Sequence, residues 1–311
     1  MTLVCLGDVM ADVLARLPGP LALGSDTPAA VRISGGGSAA NTAAWAVAAG
    51  GSALFVGCVG DDPLGRMVRD ELTAERLDLA LSVDPGEPTG TCVVLIEPGG
   101  ERTMIPSIGA NASLRPEHLP ARAFVAGNRL HVSGYALLGP ARAAALAALE
   151  RARGAGLPVS VGAGSAAPLR AVGAEQFLSW VGRDVLLFAN RDEAAALTGR
   201  DDPAEAAGLL AERAGRAVVT CGASGALWGE GSGRPQHVPA PAVGVLDSTG
   251  AGDAFAAGML LALAAGSPAP EAVQAGHLLA ARACGVVGGR PVGPVSGGPV
   301  SGGRSTAAPS A

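Results

Sequence analysis

The sequence predicts an α/β protein, with a mostly parallel sheet covered by helices on both faces and a small second sheet beside it. Three observations carry this. From Ser38 onward, short apolar runs alternate with helical segments, the rhythm of parallel strands joined by helical crossovers. Four strand-like runs (residues 13–17, 31–33, 91–96 and 102–105) do not follow that rhythm. They predict a small antiparallel sheet apart from the main body. Finally, 49% of the 311 residues are hydrophobic and 16% charged, enough apolar surface to offset the entropy of ordering the chain.

Residues 3–6 form a buried apolar strand, and Gly7-Asp8 after it reads as a functional loop. Residues 38–49 are helical in composition and 53–56 a strand. Residues 63–74 are helical, with Pro63 at the first turn. Glu97-Pro98-Gly99-Gly100 is a hairpin signal between two of the small-sheet strands. Residues 129–132 form a strand. Residues 140–153 form an amphipathic helix with Leu146 and Leu149 on its apolar side, stopped by Gly154 and Gly156. Strands follow at 159–161, 185–188 and 217–220, with helices at 191–197 and 203–214 between the last of them. Helices at 251–265 and 268–287 close the folded part. Residues 291–311 carry a direct repeat, Pro-Val-Ser-Gly-Gly twice, and read as a disordered tail.

Composition excludes several functions. The net charge is −5 and no basic run exists, which argues against a nucleic-acid partner. No apolar stretch reaches the ~20 residues that span a bilayer, and the start lacks a basic n-region, so a cytoplasmic location is expected. All 22 basic residues are Arg, which excludes a Schiff-base or Walker A lysine. The five cysteines and four histidines show no metal-binding spacing.

The strongest chemical signal is Asp247-Ser248-Thr249-Gly250-Ala251-Gly252-Asp253. Gly250, Ala251 and Gly252 let backbone N–H groups approach a ligand, and the helix starting there adds its positive end, making an anion hole. Asp253, in the first turn, is placed to take a proton from an attacking hydroxyl. A plain helix start with an acidic first turn is the competing reading. In the second segment, Gly36 and Gly37 precede a helix that carries Asn41 one turn in, suited to a polyol. The run from Gly35 to Ala40 also fits G-x-G-x-x-A, although it does not follow the first strand as a dinucleotide motif should. Asn190 and Glu193 follow a strand and share a helix face. They suit either a hydrated magnesium ion or a capping box. Thr220, Gly222 and Gly225 form a glycine-spaced strand end, which can lie beneath a nucleotide or simply turn the chain.

Together these four segments resemble the ribokinase-like (PfkB) carbohydrate kinases, in order and over residues 1–290. The resemblance implies a three-layer α/β/α domain with a β-sheet lid, its strands within residues 13–33 and 90–106. It implies ATP-dependent phosphorylation of a hydroxyl on a small sugar or sugar derivative, with Asp253 as base and Gly250, Ala251 and Gly252 holding the γ-phosphate. Asp12, Gly36, Gly37 and Asn41 match sugar-binding positions. Thr220, Gly222, Gly225 and Asn190 match nucleotide-binding ones, as does His277 near adenine. Glu193 and Asn190 match the magnesium motif. Asp247 and Thr249 match positions that hold a monovalent cation, potassium, in some members. One departure is Gly162-Ala163, where such kinases usually carry Asp-Pro or Asn-Pro. It keeps a non-catalytic sugar-binding regulator in view, and a nucleoside kinase is a further alternative on the same scaffold. The lid's open edges and apolar face predict a homodimer through the lids.

Overall fold

The computed structural model describes residues 1–99 and 102–291. The expected tail therefore lies outside the described residues, apart from Pro291. The main sheet has nine strands: β1 (Leu3–Leu6), β4 (Ala53–Gly60), β5 (Asp78–Asp84), β8 (Arg129–Val132), β9 (Val159–Gly162), β10 (Val185–Asn190), β11 (Gly215–Thr220), β12 (Ala226–Glu230) and β13 (Gln236–Val238). Their spatial order is β13-β12-β11-β10-β9-β8-β1-β4-β5. All pairs from β5 to β11 are parallel, and β12 and β13 add an antiparallel edge.

The period-2 rule divides the core. On β1, Val4 and Leu6 face one side, against Leu54, Leu130 and Leu149, while Leu3 and Cys5 face the other, against Trp45, Phe55 and Met259. The first side is covered by α3 (Gly134–Leu138), α4 (Arg142–Gly154), α5 (Ala166–Val172), α6 (Ala174–Val181), α7 (Arg191–Thr198) and α8 (Pro203–Ala214). The second is covered by α1 (Ser38–Ala48), α2 (Pro63–Ala74), α9 (Ala251–Ala264) and α10 (Ala269–Cys284). From β1 the chain winds outward to β5, then returns on the other side through β8. The reversal leaves a crevice at the carboxyl ends of β1 and β8, the place where such sheets bind ligands.

The small sheet has the order β3-β2-β6-β7, built from β2 (Met10–Arg16), β3 (Ala30–Gly36), β6 (Thr91–Ile96) and β7 (Arg102–Ser107). It is mixed rather than antiparallel: β2 pairs with β6 in parallel, because each enters from the main sheet in the same direction. β2 begins at Met10, so Asp12 sits within a strand. Leu14, Val94 and Ile96 bury its inner face against Val287.

Other differences from the sequence reading are local. The helix expected over 140–153 is α4, starting two residues later at Arg142, and a short helix that was not expected, α3, precedes it and ends before Gly139-Pro140. The strands β5 and β13 and the helices α5 and α6 are not among the expected elements, although Leu79, Leu81 and Val83 alternate along β5 and Phe177, Leu178 and Val181 share one face of α6.

Candidate active site

A cleft of about 690 Å³ lies between the carboxyl edge of the main sheet and the inner face of the small one. Gly250 caps α9 in a left-handed conformation (φ 74°), and a Cβ there would lie 2.3 Å from the Gly289 carbonyl oxygen. Backbone sign and close approach both require glycine. The Ala251 N–H turns back to the Ser248 carbonyl at 3.3 Å. The N–H groups of Gly252 and Asp253 belong to the first turn, whose donors have no acceptor within the helix. Both residues line the cleft, and the space off Gly252 is open for 4 Å. An anion fits there, at the positive end of α9.

Asp253 is held from both sides. Ser38 Oγ donates to its Oδ1 at 2.8 Å, and Asn41 Nδ2 donates to its Oδ2 at 3.0 Å. Burial raises its pKa from 3.8 to about 7; the two hydrogen bonds oppose that rise, and the charges of Asp8 and Glu193 reinforce it. Ser38 is itself fixed, since its N–H donates to Asp8 Oδ2 at 2.8 Å while Asp8 Oδ1 accepts from Ser133 Oγ at 2.7 Å. The ends of β1 and β8 and the start of α1 thus converge on one carboxylate.

Asp12 enters from the lid. Burial lifts its pKa to about 6, against the pull of Arg290 and with a push from Asp8. A Cβ on Gly36 would lie 2.0 Å from its Oδ2, so glycine there makes room for the carboxylate. The glycine run is anchored behind. Arg290 Nη2 donates to the Gly36 carbonyl at 2.9 Å, and the Gly35 N–H donates to Glu71 Oε2 at 2.8 Å. Arg290 Nη1 lies 3.5 Å from that same carboxylate oxygen. Gly37 turns the chain into α1 at φ 93° and, with Asn41, lines the cleft.

Across the cleft, Asn190 and Glu193 make the capping box: Asn190 Oδ1 accepts from the Glu193 N–H at 2.9 Å, and Glu193 Oε2 accepts from the Asn190 N–H at 2.9 Å. Both also line the cleft. Glu193 is pushed up to about 7 by burial, chiefly, against the hydrogen bonds from Asn190. One carboxylate and one amide fit a hydrated magnesium ion, which keeps several waters. Among the described residues no cluster of three or more His, Cys, Asp or Glu forms a dedicated metal cage.

The other predicted positions divide. Thr220 lines the cleft; Gly222 and Gly225 instead shape the turn between β11 and β12, outside the lining. His277 is buried away from it, Nε2 against the Val238 carbonyl at 3.2 Å and the ring edge-on to Phe255. Helix α10 turns that face inward, so His277 meets the cleft only through Phe255, which lines it. Asp247 Oδ1 accepts from the Thr249 N–H and hydroxyl (2.9 and 2.7 Å), and its Oδ2 accepts from the Gly288 N–H at 2.8 Å. Burial alone would raise its pKa, but these bonds hold it below the usual range. Arg102, from the lid, donates to Thr249 Oγ1 at 2.6 Å and Ser248 Oγ at 2.7 Å, with Nη1 3.6 Å from Asp247. After β9 the cleft is lined by Gly162, Ala163, Gly164 and Ser165, so this loop brings no carboxylate or amide.

Sequence reasoning marked Gly7-Asp8 as a functional loop without giving Asp8 a role, and missed Ser38, Arg102 and Arg290 as site residues. Ser38 sits one helical turn before Asn41, which was a usable signal. Arg290 had none, since its partner Gly36 lies 254 residues away.

The model of the pfkB family carbohydrate kinases matches residues 1–294. The chain belongs to that family. A fructokinase from Klebsiella pneumoniae is 36% identical over 263 residues, covering 81% of this chain and 84% of the relative. The crystal structure of adenosine kinase from Sinorhizobium meliloti superposes with a TM-score of 0.83 at 27% identity, covering 94% of this chain and 96% of that one. Aminoimidazole riboside kinase from Salmonella enterica, solved with aminoimidazole riboside and an ATP analog, gives a TM-score of 0.76 at 25% identity, covering 93% and 95%. The ribokinase-like fold and the ATP-dependent carbohydrate kinase class follow. No helix among the described residues is long and apolar enough to cross a membrane.

Proposed function

We propose that this pfkB-family kinase transfers the γ-phosphoryl group of ATP to a hydroxyl of a small sugar or sugar derivative in the cleft, with Asp253 as general base. The observation that carries this is a carboxylate raised to about 7, hydrogen-bonded by Ser38 and Asn41, in the first turn of a helix whose N-terminus opens on the cleft. Asp12, Gly36, Gly37 and Asn41 hold the acceptor. Its hydroxyl loses a proton to Asp253 Oδ as the oxygen bonds to the γ-phosphorus and the bond to ADP breaks. The N–H groups at the start of α9 take up charge on the phosphoryl oxygens, and Gly250 fixes their direction. Thr220 and Asn190 face the nucleotide side. When bound, magnesium neutralises the β- and γ-phosphate oxygens, and Glu193 with Asn190 would hold it through water.

Arg102 brings a permanent positive charge beside Asp247 and Thr249, so turnover is expected without potassium. Closing of the lid would exclude water from the reacting groups. The outer lid face supports a homodimer through the lids: Ile33, Val13, Val93 and Ile105 lie in register across the four strands, and Ile33 and Ile105 are 50% and 57% exposed. Five free cysteines accord with a cytoplasmic location.

The test is ADP formation from ATP and magnesium across sugars and nucleosides, beside Asp253→Ala. Turnover with one acceptor that falls at least ~100-fold in the variant supports the assignment. Equal turnover in both defeats it.

A further inference from the structure

The acceptor half of the cleft has a charge balance that narrows its substrate. The sequence contains no lysine, so any cation there must be arginine. Three arginines approach from the lid side, and all are engaged. Arg290 is buried against the Gly36 carbonyl and Glu71. Arg102 is spread over Thr249 and Ser248, and Arg32 donates to the Val287 carbonyl. None lines the cleft among the described residues, whereas Asp8, Asp12, Asp253 and Glu193 all do.

Around Asp12, the lid wall of the cleft is apolar. Met10, Cys92, Met104, Pro106 and Ile108 line it. Met104 and Ile108 are 49% and 46% exposed there, apolar surface open to a ligand. The wall is also fixed in place. Asn111 accepts from the Val9 N–H at 2.9 Å and donates to the Val9 and Ile108 carbonyls at 2.8 and 3.0 Å, so the backbone that carries Ile108 is tied to the loop that follows β1.

Resting on the kinase reading above, we propose that the acceptor is an uncharged polyol that lays an apolar face or substituent on this wall, and that sugar acids and sugar phosphates are rejected. A carboxylate or phosphate placed here would lose water, gain no cation and face carboxylates. A neutral sugar gives its hydroxyls to Asp12, Asn41 and Asp253 and its C–H face, or an aglycone, to Met104 and Ile108.

The experiment is calorimetric binding without ATP, which separates this inference from catalysis. Fructose, ribose and inosine are titrated beside fructose 1-phosphate, ribose 1-phosphate and gluconate, on the wild type and on Ile108→Arg. At least one neutral compound should bind, with every anionic one at least ~100-fold weaker than it. The arginine variant should tighten a sugar phosphate at least ~10-fold relative to wild type. The proposal is overturned if an anionic member binds the wild type as tightly as the neutral ones, if no neutral polyol binds, or if the arginine leaves phosphate affinity unchanged. A protein that binds neutral polyols yet forms no ADP keeps this inference and loses the kinase reading. One that phosphorylates a sugar phosphate does the reverse.

Discussion

Asp253→Asn should trade activity for stability, with a size and sign set by the site. Asn has nearly the same shape and keeps an oxygen for Asn41 Nδ2 to donate to, while Ser38 Oγ can accept from the new amide. The variant therefore removes a charge without removing packing. In the folded protein the carboxyl titrates near 7, in the unfolded chain near 3.8. Below pH 3.8 it is protonated in both states and affects neither. Between 3.8 and 7 the folded state binds the extra proton, so wild-type stability falls as pH rises. At pH 5 the cost is on the order of 2 kcal/mol and at pH 8 on the order of 4 kcal/mol. Urea denaturation at both pH values should show the Asn variant gaining roughly 2–3 kcal/mol on the wild type between them. Turnover should fall ~100-fold or more, and the rising limb of the wild-type kcat/KM profile, centred near pH 7, should vanish. A stability difference that does not change between pH 5 and pH 8 would refute the buried, proton-holding carboxylate, and with it the reason for a base poised at neutral pH.

Three further outcomes follow from neighbouring geometry. Arg290→Met removes the counter-charge of Glu71 and the donor to the Gly36 carbonyl, so it should cost about 3–5 kcal/mol in urea unfolding; a loss under about 1 kcal/mol would show that the cluster is solvated. Gly250→Ala forces a side chain into the Gly289 carbonyl at a left-handed φ. It should cost about 2 kcal/mol or more and abolish phosphoryl transfer, checked by thermal unfolding and ADP release. Replacing potassium by choline should leave wild-type turnover within about twofold, whereas Arg102→Ala should lower it about tenfold, the worth of a charge-assisted hydrogen bond; strong potassium activation of the wild type would contradict this.

Much of the molecule was legible in the chain itself. Apolar runs such as Leu3–Leu6 and residues 185–188 declared a buried parallel sheet, because strands covered on both faces have no polar side to alternate. The Asp247 to Asp253 run declared an anion site, because helix start, small residues and acid are local features within one turn. Asn190 and Glu193 showed both of their readings in sequence, and the structure shows the capping box within the lining of the cleft. Tertiary structure alone decided the rest. It turned His277 inward, added the short helix α3 before Gly139, and paired β2 with β6 in parallel where antiparallel neighbours were expected. It also brought Arg290 to Gly36, Arg102 to Thr249, and Ser38 with Asn41 to Asp253. Local sequence encodes periodicity, caps and turns, since those depend on neighbours a few residues apart. The raised carboxylates arise chiefly from burial, and the groups that hold Asp253 and Gly36 lie 200 or more residues away, so both exist only after the sheet has closed over them.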